Sequence, residues 1–505
     1  MSPELPSPEL LEHVHPDMRL RRVELPDREN AYSLWAEAAA HLSPLEVKDF
    51  DEFETRAWCL QQDLGYWLPE GAIRRELRDQ IERNRRALET ANLGVSLGRF
   101  QYPEPRGSKH FSEDIELDDF IRRLIRIRNL KARLHASCGE FGQAARELTH
   151  SLRMAEMVMH GDGIFVTYLS AIACHGSALD SIHGLARLAG APADAIANML
   201  AAVDRDWRGA EALSQCVRTE FHYYFLEQLA SLSAGGSLES LVDALLEGIY
   251  EEKSSPFLTD DSPGPHPDGR SAWRRQKLLE LLAGHPSPFD PRQTISAASL
   301  RAAENMRYGE SCWRAERERF TENRLLSDDC WPPQLHPDFG YEVLGPGPEA
   351  RKAVEEHLES MRETDYAPSL LAELVRYWQA PDESAFAAAR ERLRQVDNPV
   401  GLLLADRETR ILPSCVTILF RGRASREATK AVLAIRLFLI QRGRLPENLD
   451  ALVDSGLLAE VPNDPFADRP LNYSRDRAVV WSVGPDGAGE SGDPAADMVW
   501  NVATA

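Results

Sequence analysis

The sequence has no long hydrophobic run, which excludes an ordinary transmembrane helix. A helix that spans a bilayer needs about 18 or more apolar residues in succession. The best run, Val432 to Ile440, is short and is interrupted by Arg436. The first residues also lack the positive charges and the apolar stretch of a signal peptide. We therefore expect no transmembrane segment. The expected location is cytoplasmic as the sequence stands, and periplasmic or envelope-associated if an N-terminal anchor was removed.

The cysteines form no recognisable pairs. Seven of them are scattered along 505 residues without a Cys-x-x-Cys spacing. An odd, scattered set is typical of free thiols in a reducing compartment, and the spacing of zinc ligands is missing as well. The sequence therefore predicts neither a disulfide framework nor a zinc site.

Positive charge is scarce, since the net charge at pH 7 is −22. Binding to nucleic acid or to an anionic membrane surface requires a basic face. The densest basic stretch runs from Arg122 to Arg133, and we interpret it as a solvated helix face. The composition therefore predicts no nucleic-acid partner.

What the sequence does contain is helical periodicity over most of its length. Tyr32, Trp35 and Ala39, for example, fall on one helix face. Clusters of Pro, Gly, Ser and Asp interrupt the pattern and suggest domain boundaries. The predicted organisation is an extended lead-in (1–28), a helical array (29–251), a linker (252–270), a second helical region (271–424) and a C-terminal α+β module (425–505).

One segment of the helical array has the character of a repeat. Gly139 stands where a turn would join two antiparallel helices, and Ala144 stands where these helices would cross closely. This resembles half of a tetratricopeptide (TPR) signature, but no clean period of about 34 residues follows it. We therefore predict an irregular, TPR-like array of helical hairpins.

Catalytic motifs are nearly missing. The segment 94–98 has the Gly-x-Ser-x-Gly spacing of a nucleophile elbow, with Ser96 at its centre. Such an elbow requires a turn from a strand into a helix. A charged helical pattern precedes the segment instead, so we interpret the match as chance.

Histidines offer two weaker candidates for a site. Glu220 and His222 lie two residues apart, on different faces of a predicted helix, where they are poorly placed to share a metal. We interpret His222 as part of an aromatic core patch. His13 and His15 have a spacing that suits metal ligation if the chain is extended there. No other metal ligand is near them in the sequence, so we expect the two histidines to lie in a solvated N-terminal tail.

From residue 425 onward the pattern changes. A helix ends at Gly443, a residue type that favours the position after a helix C-terminus. A short helix with Leu449 and Leu452 follows, and then the connecting segment 461–466, which contains two prolines. Three strands are predicted at 471–474, 478–483 and 497–502, the last two joined by a Gly-rich loop at 484–493. These elements predict a small α+β module with a short antiparallel sheet.

The order of residues in this module follows a known pattern. The positions that carry it are Gly443, Pro446, Leu449, Leu452, Val453, Val461, Pro462, Asp464, Pro465, Tyr473, Ser482, Gly484, Asp486, Gly487, Asp497 and Trp500. In this order they resemble the C-terminal domain of the major pseudopilin of type II secretion, pseudopilin G. Phe466 stands where that family has Trp, and no prepilin helix precedes the module. The module is therefore predicted to be an appendage of the helical body, which itself resembles uncharacterised bacterial proteins of this layout.

The resemblance implies a calcium site. In the pseudopilin family the Gly-rich loop binds calcium, and the matching carboxylates are Asp486 and Asp497, with Asp493 and Glu490 as local candidates. Ca²⁺ takes about six to eight oxygen ligands from carboxylates and backbone carbonyls. An ordinary acidic hairpin loop that binds nothing is the open alternative.

The predicted fold is mostly α, an irregular helical-hairpin array followed by the small pseudopilin-like α+β module. The predicted function is that of a helical scaffold or binding protein with a protein partner, and calcium is the candidate ligand of its module. Two alternatives stay open. One is a hydrolase-type enzyme whose site is assembled from distant helices, and the other is a component of a secretion or envelope assembly.

Overall fold

The computed structural model describes the chain in several stretches. These are residues 8–20, 22–43, 71–103, 111–235, 237–243, 269–300, 396–409, 412–484, 492 and 498–502, with isolated helical positions at 302, 303, 306, 387, 391 and 394. The chain divides into two compact units. Unit 1 comprises Met1–Arg21, Arg106–Ser108 and Glu220–Val416, and unit 2 comprises Arg22–Pro105, Lys109–Thr219 and Thr417–Ala505.

The chain is mostly helical, with a small antiparallel sheet near its C-terminus, as predicted. The helices up to residue 220 are α1 (Pro8–Leu11), α2 (Tyr32–Ala40), α3 (Gly71–Arg83), α4 (Arg85–Leu97), α5 (Phe111–Ser137), α6 (Phe141–Met159), α7 (Phe165–Arg187), α8 (Ala193–Val203) and α9 (Gly209–Glu220). A π-helical segment (Phe221–Phe225) precedes α10 (Leu226–Gly235), α11 (Gly269–Leu282), α12 (Pro399–Thr409), α13 (Leu412–Arg442) and α14 (Asp450–Asp454). Within the described stretches no helix is long and apolar enough to cross a membrane.

Helix α6 is the centre of the helical part of unit 2. It packs against α5, α7 and α8. Its last six residues, 154–159, are all buried, although they include Glu156. A helix that is buried around its whole circumference belongs in an interior. Gly139 lies in the turn between α5 and α6 with φ of 78°, and Ala144 is fully buried, so the predicted hairpin is present.

A polar link holds the first segment of unit 2 in place. The side-chain oxygen of Asn30 accepts hydrogen bonds from the backbone N–H groups of Tyr32 (3.0 Å) and Gln101 (2.9 Å). Its amide nitrogen donates to the Gln101 carbonyl at 2.9 Å, and Gln101 Nε2 donates to the Asp162 carboxylate at 2.6 Å. Both ends of the Asn30 amide are therefore satisfied, which gives the Asn-Ala-Tyr segment a structural role.

The C-terminal module contains a three-stranded antiparallel sheet in the order β3-β4-β5 and a separate two-stranded pair, β1-β2. The strands are β1 (Asn463–Asp464), β2 (Arg469–Pro470), β3 (Asn472–Ser474), β4 (Val479–Ser482) and β5 (Met498–Asn501). Tyr473 faces Val480, which in turn faces Trp500. The Tyr473 hydroxyl donates to the Pro446 carbonyl at 3.2 Å. The three predicted strands are present, while the β1-β2 pair was not predicted.

Asp464 connects the proline-containing segment 461–466 to the three-stranded sheet. Its side chain is fully buried, and its carboxylate accepts hydrogen bonds from the Phe466 N–H (3.0 Å), the Ser482 hydroxyl (2.8 Å) and the Val483 N–H (2.9 Å). Three donors on one carboxylate compensate for its burial. The buried carboxylate therefore connects β1 to the end of β4.

Helix α13 begins earlier than the sequence pattern suggests. The predicted module starts at 425, whereas one helix runs without a break from Leu412 to Arg442. Pro413 lies in its first turn, where a helix needs no backbone N–H, so this residue does not interrupt it. The helix that leads into the module is therefore also part of the helical body of the chain.

The N-terminal segment of unit 1 is folded rather than extended. Val14 and Met18 are buried, with 2% and 0% of their surface exposed. The backbone N–H of His15 donates to Ser299 Oγ at 3.0 Å. The expectation of a solvated tail around His13 and His15 is therefore wrong, because Val14 and Met18 supply apolar surface that is removed from water.

The π-helical segment confirms the predicted aromatic patch in unit 1. Phe221 and Phe225 are buried, and the His222 ring meets Phe221 edge to face at 6.0 Å. The backbone N–H of Leu20 donates to His222 Nε2 at 3.1 Å. His222 Nε2 also lies 3.1 Å from the Met18 carbonyl, and burial lowers the pKa of His222.

Candidate functional site

The predicted calcium ligands Asp486, Glu490, Asp493 and Asp497 lie outside the described residues, and so does the predicted linker apart from its last two positions, which begin α11. Elsewhere in the described chain no group of three or more His, Cys, Asp or Glu side chains is placed to hold a metal ion. Calcium therefore stays a prediction that rests on the resemblance.

The Gly-x-Ser-x-Gly segment belongs to a helix. Helix α4 continues through Leu97, and Gly98 follows it with φ of 74°. Ser96 Oγ donates to the Asn92 carbonyl of the same helix at 3.0 Å. A Cβ on Gly94 would lie 2.3 Å from Nε1 of Trp35, so Gly94 makes room for that indole. The two glycines serve packing and helix termination, and Ser96 does not have the geometry of an elbow nucleophile.

Two clusters of buried charge in the described chain instead meet on α6, at Glu147 and Glu156. The first cluster joins α6 to α5. Arg128 Nη1 donates to the Glu147 carboxylate at 2.9 Å, and Lys131 Nζ donates to its other oxygen at 2.6 Å. Arg128 Nη2 also donates to Asn92 Oδ1 of α4 at 2.6 Å. One guanidinium thereby connects three helices. Arg128 is 0% exposed, so the interpretation of this basic stretch as a solvated face is wrong for it.

The electrostatics of the first cluster favour the ion pair. Burial raises the pKa of Glu147, but the charges of Arg128 and Lys131 outweigh it and bring the pKa below its ordinary value. His150 Nδ1 donates to Asn92 Oδ1 at 3.1 Å, and burial together with the Arg128 charge lowers the pKa of His150. The carboxylate is therefore charged and the imidazole neutral near pH 7.

The second cluster joins α6 to α13. Arg426 Nη1 donates to the Glu156 carboxylate at 2.7 Å and lies 3.2 Å from His175 Nε2. Its Nη2 donates to the Arg205 carbonyl at 2.9 Å. Arg426, Glu156 and His175 are 2%, 7% and 0% exposed. Because buried guanidinium charges require compensation, this pairing explains how an arginine can lie in the interior.

Arg426 also determines the state of His175. A guanidinium only donates, so His175 Nε2 must accept and the ring proton is on Nδ1. Burial, with a smaller contribution from the Arg426 charge, lowers the pKa of His175 to about 3. The lone pair that a general base would use is already occupied by Arg426. The cluster is therefore suited to fixing helices and to donating hydrogen bonds, not to accepting a proton from a nucleophile.

The C-terminal module is attached to the helical body of unit 2 by several contacts. Phe466, where the pseudopilin family has Trp, meets Phe420 of α13 edge to face at 5.7 Å. His183 of α7 donates from Nε2 to the Asn501 carbonyl of β5 at 2.7 Å. Within the helical body, Arg436 of α13 donates from Nε to the Ala186 carbonyl at 2.9 Å. This carbonyl lies in the last turn of α7, where the helix leaves carbonyls without a partner and favours a positive charge.

These two clusters were missed at the level of sequence. Glu147 and Glu156 each look like an ordinary residue of a charged helix, and their partners are far away in sequence. A scan of the chain against protein-family models and searches of curated proteins and of solved structures found no match.

Proposed function

We propose that this protein is a helical scaffold that binds a protein partner, with its pseudopilin-like module fixed to the helical body rather than carried as a loose appendage. The observation that carries the proposal is the attachment of the module to α13 through Phe466 and to α7 through Asn501. Such contacts hold the module and the helices as one surface. A fixed surface binds with less loss of conformational entropy than two tethered parts.

The helical part fits the proposed TPR-like array. Helices α5 and α6 form a hairpin through the left-handed Gly139, and α7 packs against both. The buried pairs of Arg128 with Glu147 and of Arg426 with Glu156 then fix the helices to each other. Stacked helical hairpins of this kind present extended surfaces that suit protein partners.

Helix α4 offers a face for such a partner. Leu93 and Leu97 lie one turn apart and are 60% and 37% exposed, while Ala87, Leu88 and Ala91 of the same helix are buried. Residues four apart stand on the same helix face, so the two leucines form one apolar patch. This patch is the surface at which we propose that the partner binds.

The proposal is tested by affinity capture of the full chain from cells of its source, followed by direct binding measurements with the captured protein. We expect a stoichiometric partner for the wild type. The double variant Leu93→Ser/Leu97→Ser should lose it by at least about tenfold, which corresponds to about 1.4 kcal/mol. Ile440→Ser is the matched control, because Ile440 is 44% exposed on another helix. The absence of any stoichiometric partner, or equal loss with the control, would contradict the proposal.

A further inference from the structure

Two buried N–H groups lie on one pair of stacked rings in unit 2. The rings of His175 and Trp207 are nearly parallel, with an interplanar angle of 15° and centroids 5.7 Å apart. Since Arg426 occupies His175 Nε2, the His175 proton is on Nδ1. In the described chain neither His175 Nδ1 nor Trp207 Nε1 meets a hydrogen-bond partner. Buried donors without an acceptor are rare in native proteins, so this pair requires an explanation.

The position of Trp207 is built into the fold. A Cβ on Gly209 would lie 2.5 Å from the Trp207 ring, and glycine alone leaves that space. The Tyr168 hydroxyl donates to the Gly209 carbonyl at 3.3 Å and holds the backbone there. Trp207 itself is half-buried, and its neighbours Asp206 and Arg208 are exposed. Trp207 therefore lies at the edge of the surface between two exposed residues, and it stacks on the fully buried His175.

The chemistry around the pair calls for an acceptor. Glu156 belongs to the same cluster, but one of its oxygens accepts from Arg426 and the other pairs with Arg153 at 3.7 Å. The unpaired groups at the rings are both donors, and the two arginines carry one positive charge more than Glu156 neutralises. An anion with two oxygens meets both requirements, since it accepts from two N–H groups and compensates the excess charge.

We propose that His175 and Trp207, with Arg426 and Arg153 behind them, form a binding site for a small carboxylate. The His175 Nδ1–H and the Trp207 Nε1–H donate to the carboxylate, and Arg426 keeps His175 in the tautomer that donates. None of these four residues belongs to the proposed protein-binding face on α4, so the test below is independent of the partner proposed above.

The experiment measures the melting temperature of the full chain against formate and acetate at constant ionic strength, with chloride as the balancing anion. We expect a saturable rise of about 2 to 4 °C with the carboxylates. Trp207→Phe keeps the ring but removes the N–H, and it should flatten this rise. Trp481→Phe is the control, since Trp481 is another buried tryptophan whose indole N–H has no partner among the described residues. It should respond like the wild type.

A second measurement needs no substitution in the site. In wild-type protein labelled with ¹⁵N-tryptophan, one indole N–H resonance should shift with formate and saturate over the same concentrations as the melting temperature. Absence of a saturable response in both measurements would overturn the proposal. So would a response that Trp207→Phe leaves intact, or a crystal grown with acetate that holds only a water on the two donors.

Discussion

Glu147 and Glu156 stand on opposite faces of α6, and each is the carboxylate of a buried ion pair. Nine residues separate them (156 minus 147), and at about 100° per residue this turns the second carboxylate about 180° away from the first. Arg128 of α5 pairs with the Glu147 carboxylate, and Arg426 of α13 pairs with the Glu156 carboxylate. Helix α6 is thereby tied on one side to a neighbour in sequence and on the other to a helix far along the chain.

Removal of one buried charge should destabilise unit 2 strongly. Arg426→Met leaves Glu156 buried without its guanidinium, and the loss of one partner of a buried pair costs about 3–5 kcal/mol. The double variant Arg426→Met/Glu156→Met should recover part of this loss, because no fully buried charge is then left unpaired; Arg153, the other partner of Glu156, is 35% exposed. Urea unfolding followed by circular dichroism gives these free energies.

The control for this comparison is an exposed pair. Arg444 and Glu447 lie 3.1 Å apart with side chains 62% and 59% exposed. Arg444→Met should change the free energy of unfolding by no more than about 1 kcal/mol. If Arg426→Met were as mild as Arg444→Met, the buried pair would not be the link between α6 and α13.

Stability should fall as the pH drops from neutral, in part through His175. Burial and the Arg426 charge lower the pKa of His175 to about 3, from an ordinary value of 6.5. Between these values the unfolded chain binds a proton that the folded chain does not. The contribution of His175 is therefore fully present above pH 6.5 and is lost as the pH falls toward 3, on the order of 4 kcal/mol in total.

Urea unfolding at pH 7 and pH 4 measures this loss. His175→Gln offers an oxygen to Arg426 but does not titrate, so its free energy of unfolding should fall less than that of the wild type between the two pH values. Equal losses for both proteins would show that His175 takes up its proton in the folded state as readily as in the unfolded one.

The packing explanation of the Gly-x-Ser-x-Gly segment predicts opposite outcomes for two neighbouring substitutions. Gly94→Ala puts a Cβ against Trp35, which costs about 1–3 kcal/mol if the indole has to shift. Ser96→Ala removes only a hydroxyl that bonds its own helix, so both stability and any ester hydrolysis should be unchanged. Thermal unfolding and an assay with a nitrophenyl ester test both. A loss of hydrolysis in Ser96→Ala with normal stability would favour the enzyme alternative.

The resemblance to pseudopilin G predicts calcium binding by the Gly-rich loop. Titration calorimetry with Ca²⁺ on protein stripped of metal should give one site, and Asp486→Asn/Asp497→Asn should abolish it. Asp476→Asn is the matched control, because Asp476 lies in the neighbouring turn between β3 and β4 and not in the loop. If the wild type takes up no calcium, the loop is the ordinary acidic connection that was the open alternative.

Local features of the sequence predicted local structure well. The strands at 472–474, 479–482 and 498–501 lie within the predicted ranges between turn residues, and the Gly139 turn follows the preference of glycine for positive φ. Turn chemistry acts over a few residues, so a short window of sequence contains it.

The buried clusters could not be predicted in the same way. Glu156 and Arg426 are separated by 270 positions. No local rule distinguishes Arg128, which is 0% exposed, from Arg123 on the same helix, which is exposed. Burial of a charge depends on which helices meet, and that is decided by long-range packing. The folded N-terminal segment was missed for the same reason, since Val14 and Met18 are buried only through contacts with distant residues.

The attachment of the module to the helical body is tested most directly by a double-mutant cycle between Phe420 of α13 and Phe466 of the module. Their rings meet edge to face at 5.7 Å, and such a pair couples by about 0.5–1.5 kcal/mol. We expect the free energies of unfolding of Phe420→Ala, Phe466→Ala and the double variant to give a coupling energy in this range. Strictly additive effects would mean that the module does not rest on α13, and the scaffold with a fixed module would be contradicted.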